Sequence, residues 1–318
     1  MWTLLHKLKI VTCLMLATFL WYVLVGIKVP DKPPNYVLNS DFKFPDVPQN
    51  VNEHGIPLVV HQMWKERNIP QKWQTTRKDC MKLNHEYTHI LWTDEMLYNF
   101  IWNKYSWFYT VFIRYRYNIQ RVDVTRYFLL YHYGGVYLDL DLICKSALRS
   151  IFKGMNATQT TFLAAAKVDG VTNSFMASVP RSEFFKHVIY ELPVNVHGKF
   201  ELFRHTTIIF STGPQFVSHC WRTFKNRNEI VVMTLDKFDG VHFKNQLMNE
   251  WHSFDTNVVE FFQFNYVAIF SVTLCAIVII FVQRRRRCLW VGLSVGSLKR
   301  PTDRGREWGW KEVDCKIL

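Results

Sequence analysis

The chain has 318 residues, 49% of them hydrophobic and 20% charged, with a formal net charge of +13. That length carries one sizeable α/β domain with accessory segments. The charge does not point to nucleic acid: beyond residue 282 lie ten Lys/Arg against four Asp/Glu, a surplus of +6 that suits anionic lipid headgroups instead.

Residues 1–9, carrying His6, Lys7 and Lys9, read as a cytoplasmic N-terminus. Residues 10–27 are uncharged and of bilayer-spanning length, and no clear small-x-small cleavage site follows, so a transmembrane anchor is expected rather than a signal peptide. Residues 28–55, rich in Pro, Asp and Asn without periodicity, read as a stem or linker. Leu58-Val59-Val60 after Pro57 predicts a first buried strand over residues 56–63, followed by a helix over 71–83. A second strand covers 89–92, and Thr93 ahead of Asp94-Glu95 predicts a capped helix start. Residues 105–118 are dense in aromatic and basic side chains.

Helical spacing over 119–133 places Ile119, Val122, Leu129, Leu130 and Tyr133 on one apolar face, with Asp123 and Arg126 as neighbours three apart. Gly134 and Gly135 end that helix, and the alternation over 136–143 predicts a strand. On it Asp139 and Asp141, at i and i+2, project from the same side. Further on, a strand is expected at 162–168 and a helix at 181–191 closed by Pro193. A β-branched run at 207–210 precedes the turn signal Ser211-Thr212-Gly213-Pro214, with a helix at 217–224 and a strand at 230–235 behind it. Alternating strands and helices over residues 56–256 predict an α/β domain with a mainly parallel sheet, with ligands beyond the carboxyl ends of its strands. Residues 261–282 are again uncharged and meet Arg284-Arg285-Arg286-Arg287, which marks a second span and a basic cytoplasmic tail over 283–318. With both charged flanks cytoplasmic, the intervening domain is lumenal.

Cys80, Cys144 and Cys220 fall in that domain and allow one internal bridge, whose pairing the sequence leaves open. Cys288, beside the second span, is either a palmitoylation site or a free thiol. Asn156-Ala157-Thr158 is a glycosylation triplet.

Asp139 and Asp141 suit a hard divalent cation that neutralises a departing diphosphate. Aspartate is depleted in strands, which weighs against an ordinary half-exposed strand as the explanation. Asp123 and Arg126 can accept from and donate to sugar, ribose or phosphate groups; by spacing alone they read equally as a surface ion pair. Trp64 can stack on a base or belong to the core, and His61 can be a satisfied core histidine. His252, in Trp251-His252-Ser253, can meet the metal or diphosphate, or lie in a juxtamembrane loop. No nucleophilic triad, G-x-x-x-x-G-K or G-x-G-x-x-G pattern is present.

As a set these strings resemble glycosyltransferase family 32. Ile56-Pro57-Leu58-Val59-Val60-His61-Gln62-Met63-Trp64 resembles its opening motif and Leu91-Trp92-Thr93-Asp94 its second. Gln120 to Tyr127 and Tyr131 to Asp141 are similar to its central sugar-binding and D-x-D block. Within the family the likeness runs to the inositol phosphoceramide mannosyltransferases through Asn173 to Ser178, Ser211 to Pro214, and Trp251-His252. Asn249-Glu250 stands where that subgroup's pattern has Gly-Ser, and nothing after Arg287 matches it.

The resemblance implies a GT-A fold, a Rossmann-like sheet for nucleotide-diphospho-sugars, flanked by N- and C-terminal transmembrane helices. It implies retaining transfer with Mn²⁺ or Mg²⁺, with GDP-mannose as donor and a sphingolipid or other glycolipid acceptor, inositol phosphoceramide foremost. It places Asp141 on the metal, with Asp139 and His252 beside it. Asp139 also meets the donor's ribose or sugar, Asp123 and Arg126 hold the sugar, and Trp64 the base. The setting implied is a Golgi or other secretory-pathway membrane, with room for a regulatory or partner subunit. The competing readings are a UDP-sugar-dependent transferase, a glycoprotein α-mannosyltransferase, an inactive relative that binds a partner, and a membrane scaffold acting through the basic tail.

Overall fold

The computed structural model describes residues 35–167, 169–195 and 204–246. Both expected spans and the tail lie outside them; among the described residues no helix is long and apolar enough to cross a membrane.

The sheet has six strands: β1 (Val59–Trp64), β2 (Thr88–Thr93), β3 (Gly135–Leu138), β5 (Thr161–Ala165), β6 (Val171–Ser178) and β7 (Ile230–Met233). β4 (Leu142–Cys144) instead pairs with β8 (Phe243–Asn245) in a small second sheet. The six run in the order β2-β1-β3-β6-β5-β7. β1 lies parallel to β2 and β3, and β5 parallel to β7, but β6 is antiparallel to both neighbours. The sheet is therefore mostly parallel, as read from the sequence, but mixed. Its central antiparallel strand turns the start of β6 towards the carboxyl end of β3.

The helices are α1 (Gln71–Leu83), α2 (Asp94–Lys104), α3 (Ser106–Arg114), α4 (Asn118–Tyr133), the short α5 (Leu148–Ile151), α6 (Glu183–Glu191), α7 (Arg204–Ser211), α8 (Pro214–Thr223) and the short α9 (Leu235–Phe238). α1 has the bounds its periodicity predicts. Thr93 caps α2, its hydroxyl accepting from Met96 N–H at 3.4 Å, while Asp94 and Glu95 in the first turn complement the helix dipole. The β-branched run at 207–210 lies inside α7: packing overrides its local preference for strand, burying Thr207 and Ile208.

α4 departs from a one-faced amphipathic helix. Every residue from Asp123 to Leu130 is buried, whereas Ile119, Val122 and Tyr133 are only partly covered. α4 lies against α2, α6, α7 and the strands, so polar side chains on it must find partners inside the protein. The stretch read as a stem is docked over its described part: Tyr36, Leu38, Phe44 and Val47 pack on the core. Asn39 also bonds Asn99 and Asn103 of α2.

α4 stops because Gly134 and Gly135 take φ of 66° and 87°, a region that disfavours side chains. Space forbids them too: a Cβ on Gly134 would lie 2.7 Å from Pro180, and one on Gly135 2.4 Å from Val59. His61 in β1 holds this turn. Its Nε2 meets Gly134 O at 2.9 Å and its Nδ1 accepts from Trp92 Nε1–H at 3.0 Å, so Nε2 carries the proton. Burial pushes the His61 pKa down to about 4, against the Gly134 hydrogen bond, which raises it.

The folded chain thus keeps His61 neutral while the unfolded chain protonates it near its ordinary value of 6.5. The resulting stability is complete above pH 6.5 and lost as pH falls from there to about 4, where the loss reaches about 3 kcal/mol. Thermal melts across that window should therefore show a shallower acid-side decline for His61→Gln than for the parent; equal slopes would contradict the buried neutral imidazole.

Candidate active site

Parallel β1, β2 and β3 bring Trp64, Thr93 and the residue after Leu138 to one edge of the sheet. β6 arrives there from the opposite direction, and Asp139 N–H donates to Ser174 O at 2.9 Å. The end of β3 and the start of β6 are thereby fastened around Asp139.

Arg126, 4% exposed on α4, is the centre of the site. Its Nη2 donates to Asp123 Oδ1 at 2.8 Å. Its Nη1 donates to Asn173 O at 2.7 Å and to Asp139 Oδ1 at 3.3 Å. The guanidinium carbon lies 4.5 Å from the centre of the Tyr137 ring, and Tyr137 in turn donates its hydroxyl to Asp139 Oδ1 at 2.5 Å. Asp123 is closed from other directions by Asn173 Nδ2 at 3.1 Å and Thr212 Oγ1 at 3.1 Å. The surface ion pair that the spacing allowed is therefore a buried one, with both side chains 5% exposed. Arg126 Nε, also buried, has no protein partner among the described residues.

Burial pushes the Asp123 carboxyl up to about 6, opposed by Arg126, Thr212 and Asn173. The Asp139 carboxyl rises to about 7, first through its enclosed surroundings and then through the negative charge of Asp141, while Arg126 and Tyr137 pull it down. A quarter of the Asp139 side chain still meets solvent, so it is the more accessible end of the chain of charges. Burial opposes the charge on Arg126, but Tyr137, Asp139 and Asp123 outweigh it and raise its pKa above the ordinary value.

Asp139 and Asp141 do not share one side of a strand. β3 ends at Leu138, and Asp139-Leu140-Asp141 form a turn in which Leu142 N–H donates to Asp139 O at 3.3 Å. Leu140 drives the turn: it is 2% exposed and packs with Ile69 and Trp73, beside Trp64 and Leu91. The two carboxylates flank this apolar peg. Beyond the turn, Cys144 is bridged to Cys80 of α1, with Cα atoms 5.1 Å apart, and Gln246 N–H donates to Asp141 O at 3.0 Å. Cys220 is buried and free.

Trp64 thus shares a cluster with the residue between the two aspartates. It also lines a cleft of about 440 Å³ with Asn68, Ile69, Gln71 and Gln74. Its buried Nε1–H has no partner among the described residues. The structure brings Trp64, Asp123, Arg126, Asp139 and Asp141 to one sheet edge; His252 lies outside the described residues. Tyr137, Asn173 and Thr212 join the site without a role having been read for them. Asn173 and Thr212 sit in motifs that the family resemblance marks, whereas Tyr137 carried only its place two residues before Asp139.

Among the described residues no three His, Cys, Asp or Glu side chains gather as a closed metal site. Two hard carboxylates on one turn, one with its pKa raised in part by the other's charge, fit a Mg²⁺ or Mn²⁺ whose shell is completed by substrate phosphate and water. They do not make a resident, fully protein-built cage.

The model of the glycosyltransferase sugar-binding region containing the DXD motif matches residues 70–160. Mannosyl phosphorylinositol ceramide synthase SUR1 of Saccharomyces cerevisiae is 37% identical over 224 residues, covering 69% of this chain and 56% of that protein. Inositol phosphoceramide mannosyltransferase 1 of Schizosaccharomyces pombe is 33% identical over 250 residues, covering 73% of this chain and 76% of that protein. Among solved structures, the PaToxG glycosyltransferase aligns at 17% identity with a TM-score of 0.40, over 52% of this chain and 68% of that one. The chain spans about half the length of several of the curated relatives it matches.

Replacing Arg126 with Met leaves Asp123 buried beside no cation, so a loss of about 3–5 kcal/mol is expected in chemical denaturation at neutral pH. Without Arg126 to pull it down, the Asp123 carboxyl of the variant takes up its proton above pH 6, so the loss should shrink as pH falls towards 6 and level off below it. A change under about 1 kcal/mol would mean that the pair is solvated rather than buried.

Proposed function

The chain belongs to the glycosyltransferase family defined by the DXD sugar-binding region, and from that premise we propose that it is a membrane-bound, retaining mannosyltransferase of GT-A type. It moves mannose from GDP-mannose to inositol phosphoceramide. The observation that carries this reading is the Arg126 bridge from Asp123 to Asp139, set directly against the Asp139-Leu140-Asp141 turn. The choice of donor sugar and acceptor is supported by the names of the relatives, both of which specify mannosyl transfer to, or synthesis of, an inositol phosphoceramide.

In the reaction, the bond between the sugar's anomeric carbon and the diphosphate breaks, and one to the acceptor hydroxyl oxygen forms on the same face. The hydroxyl proton leaves with the departing phosphate. No nucleophile stands out among the site's described side chains, which favours front-face attack through an oxocarbenium-like transition state. Asp141, with Asp139 and His252, would hold a divalent cation, which when bound supplies charge neutralisation for the diphosphate. His252 follows Gln246 by six positions, and the Gln246 N–H is already on Asp141 O, so the chain is long enough to reach the turn. The solvent-facing part of Asp139 offers an acceptor to the sugar, and Arg126, 4% exposed, lies directly behind it. Trp64, beside the cleft, offers a face to the base.

A lumenal setting is supported by two features: the Cys80–Cys144 bridge suits an oxidising compartment, and Asn156 of the glycosylation triplet is exposed. Spans over 10–27 and 261–282 would hold the site near a two-dimensional pool of lipid acceptor and raise its effective concentration.

The full chain in membranes, given Mn²⁺, inositol phosphoceramide and a panel of nucleotide sugars, is expected to transfer mannose from GDP-mannose. Asp141→Ala should reduce transfer by about a hundredfold or more, the scale of losing a main stabiliser of departing charge. Strong inhibition by UDP with none by GDP, or undiminished transfer by Asp141→Ala, would overturn the proposal.

A further inference from the structure

The turn Ser211-Thr212-Gly213-Pro214 joins α7 to α8 at some distance in sequence from the D-x-D block. Ser211 and Thr212 are fully buried against α4. Three α4 residues reach them. Gln120 Nε2 donates to Ser211 Oγ at 2.7 Å, and Asp123 Oδ2 accepts from Thr212 Oγ1 at 3.1 Å. Tyr127 donates its hydroxyl to Thr212 O at 2.6 Å. Positions 120, 123 and 127 lie on one side of a helix, so the turn is clamped along a continuous polar stripe.

The Thr212 hydroxyl has one proton to give. Its other acceptor, Ile208 O, is farther away at 3.4 Å and uncharged, so the carboxylate takes the bond. Asp123 is then held at both oxygens: Oδ1 by Arg126 and Asn173, Oδ2 by Thr212. A carboxylate held at one oxygen can swing about its own bond. One held at both presents a fixed plane to Arg126, and through Arg126 to Asp139.

We propose that Thr212 is a positioning residue for sugar transfer, its hydroxyl fixing the plane of Asp123 so that Arg126 meets the donor sugar in one orientation. This rests on the mannosyltransferase reading. Tyr127 supports it by locking the backbone of Thr212 against α4.

Thr212→Val keeps the shape and removes the hydroxyl proton, whereas Thr212→Ser keeps the proton. With the full chain in membranes, GDP-mannose and inositol phosphoceramide, Thr212→Val is expected to lower kcat by about 10- to 100-fold, the cost of a misplaced catalytic group. KM for GDP-mannose should stay within about twofold, and Thr212→Ser should recover kcat to within about threefold of the parent. A merely structural role would lower the amount of folded protein without this split, and Thr212→Ser would not restore turnover per folded chain. Parental kcat in Thr212→Val, or a deficit shared equally by Thr212→Ser, overturns the role of Thr212 alone. A parent chain that moves no mannose overturns the mannosyltransferase reading, and this role with it.

Discussion

A guanidinium buried between two aspartates is the constraint on which the rest of this site depends. Arg126 cannot be left unpaired at 4% exposure, and Asp123, equally buried, cannot stay ionised without it. The surrounding structure answers that demand. β6 runs antiparallel, which sets the Asn173 carbonyl and amide on Arg126 and Asp123. The turn after α7 supplies Thr212, and β3 supplies Tyr137 beneath the guanidinium. A buried charged network earns its place only when almost every lone pair and proton is used. The exposed part of Asp139 is then the group left for a ligand.

The second constraint is apolar. Leu140 pegs the D-x-D turn into the cluster around Ile69 and Trp73, and so joins the carboxylates to the wall of the cleft that Trp64 lines. The Cys80–Cys144 bridge and the Gln246 bond to Asp141 O hold the far side of the turn. Two carboxylates in close company repel each other. Holding them on a turn with separate anchors keeps both available without asking a strand to carry them.

Much of the scaffold was legible in the sequence because its signals are local. α1 follows its periodicity, Thr93 caps α2, and the paired glycines end α4 because only glycine has the conformation and the room. The D-x-D segment misled for an equally local reason. Tyr137, Asp139 and Asp141 alternate with Leu138, Leu140 and Leu142 as a strand would, yet Leu140 is drawn into a distant cluster and the chain turns. The apolar stripe on α4 misled too, since a helix packed from several sides has no single inward face. Asn173 and Thr212 meet Asp123 from 50 and 89 residues away, a relation that neither period nor propensity encodes. The antiparallel direction of β6, which makes the first of those contacts, was equally invisible.

These constraints make one claim about where a donor sugar goes. A crystal structure of the chain with GDP-mannose and Mn²⁺ tests it most directly. The cation is expected on Asp141, the diphosphate beside the Asp139-Leu140-Asp141 turn, the mannose within hydrogen-bonding distance of Arg126 or Asp139, and the guanine against Trp64. A donor bound away from that edge of the sheet, with the Asp123–Arg126–Asp139 chain untouched, would contradict it.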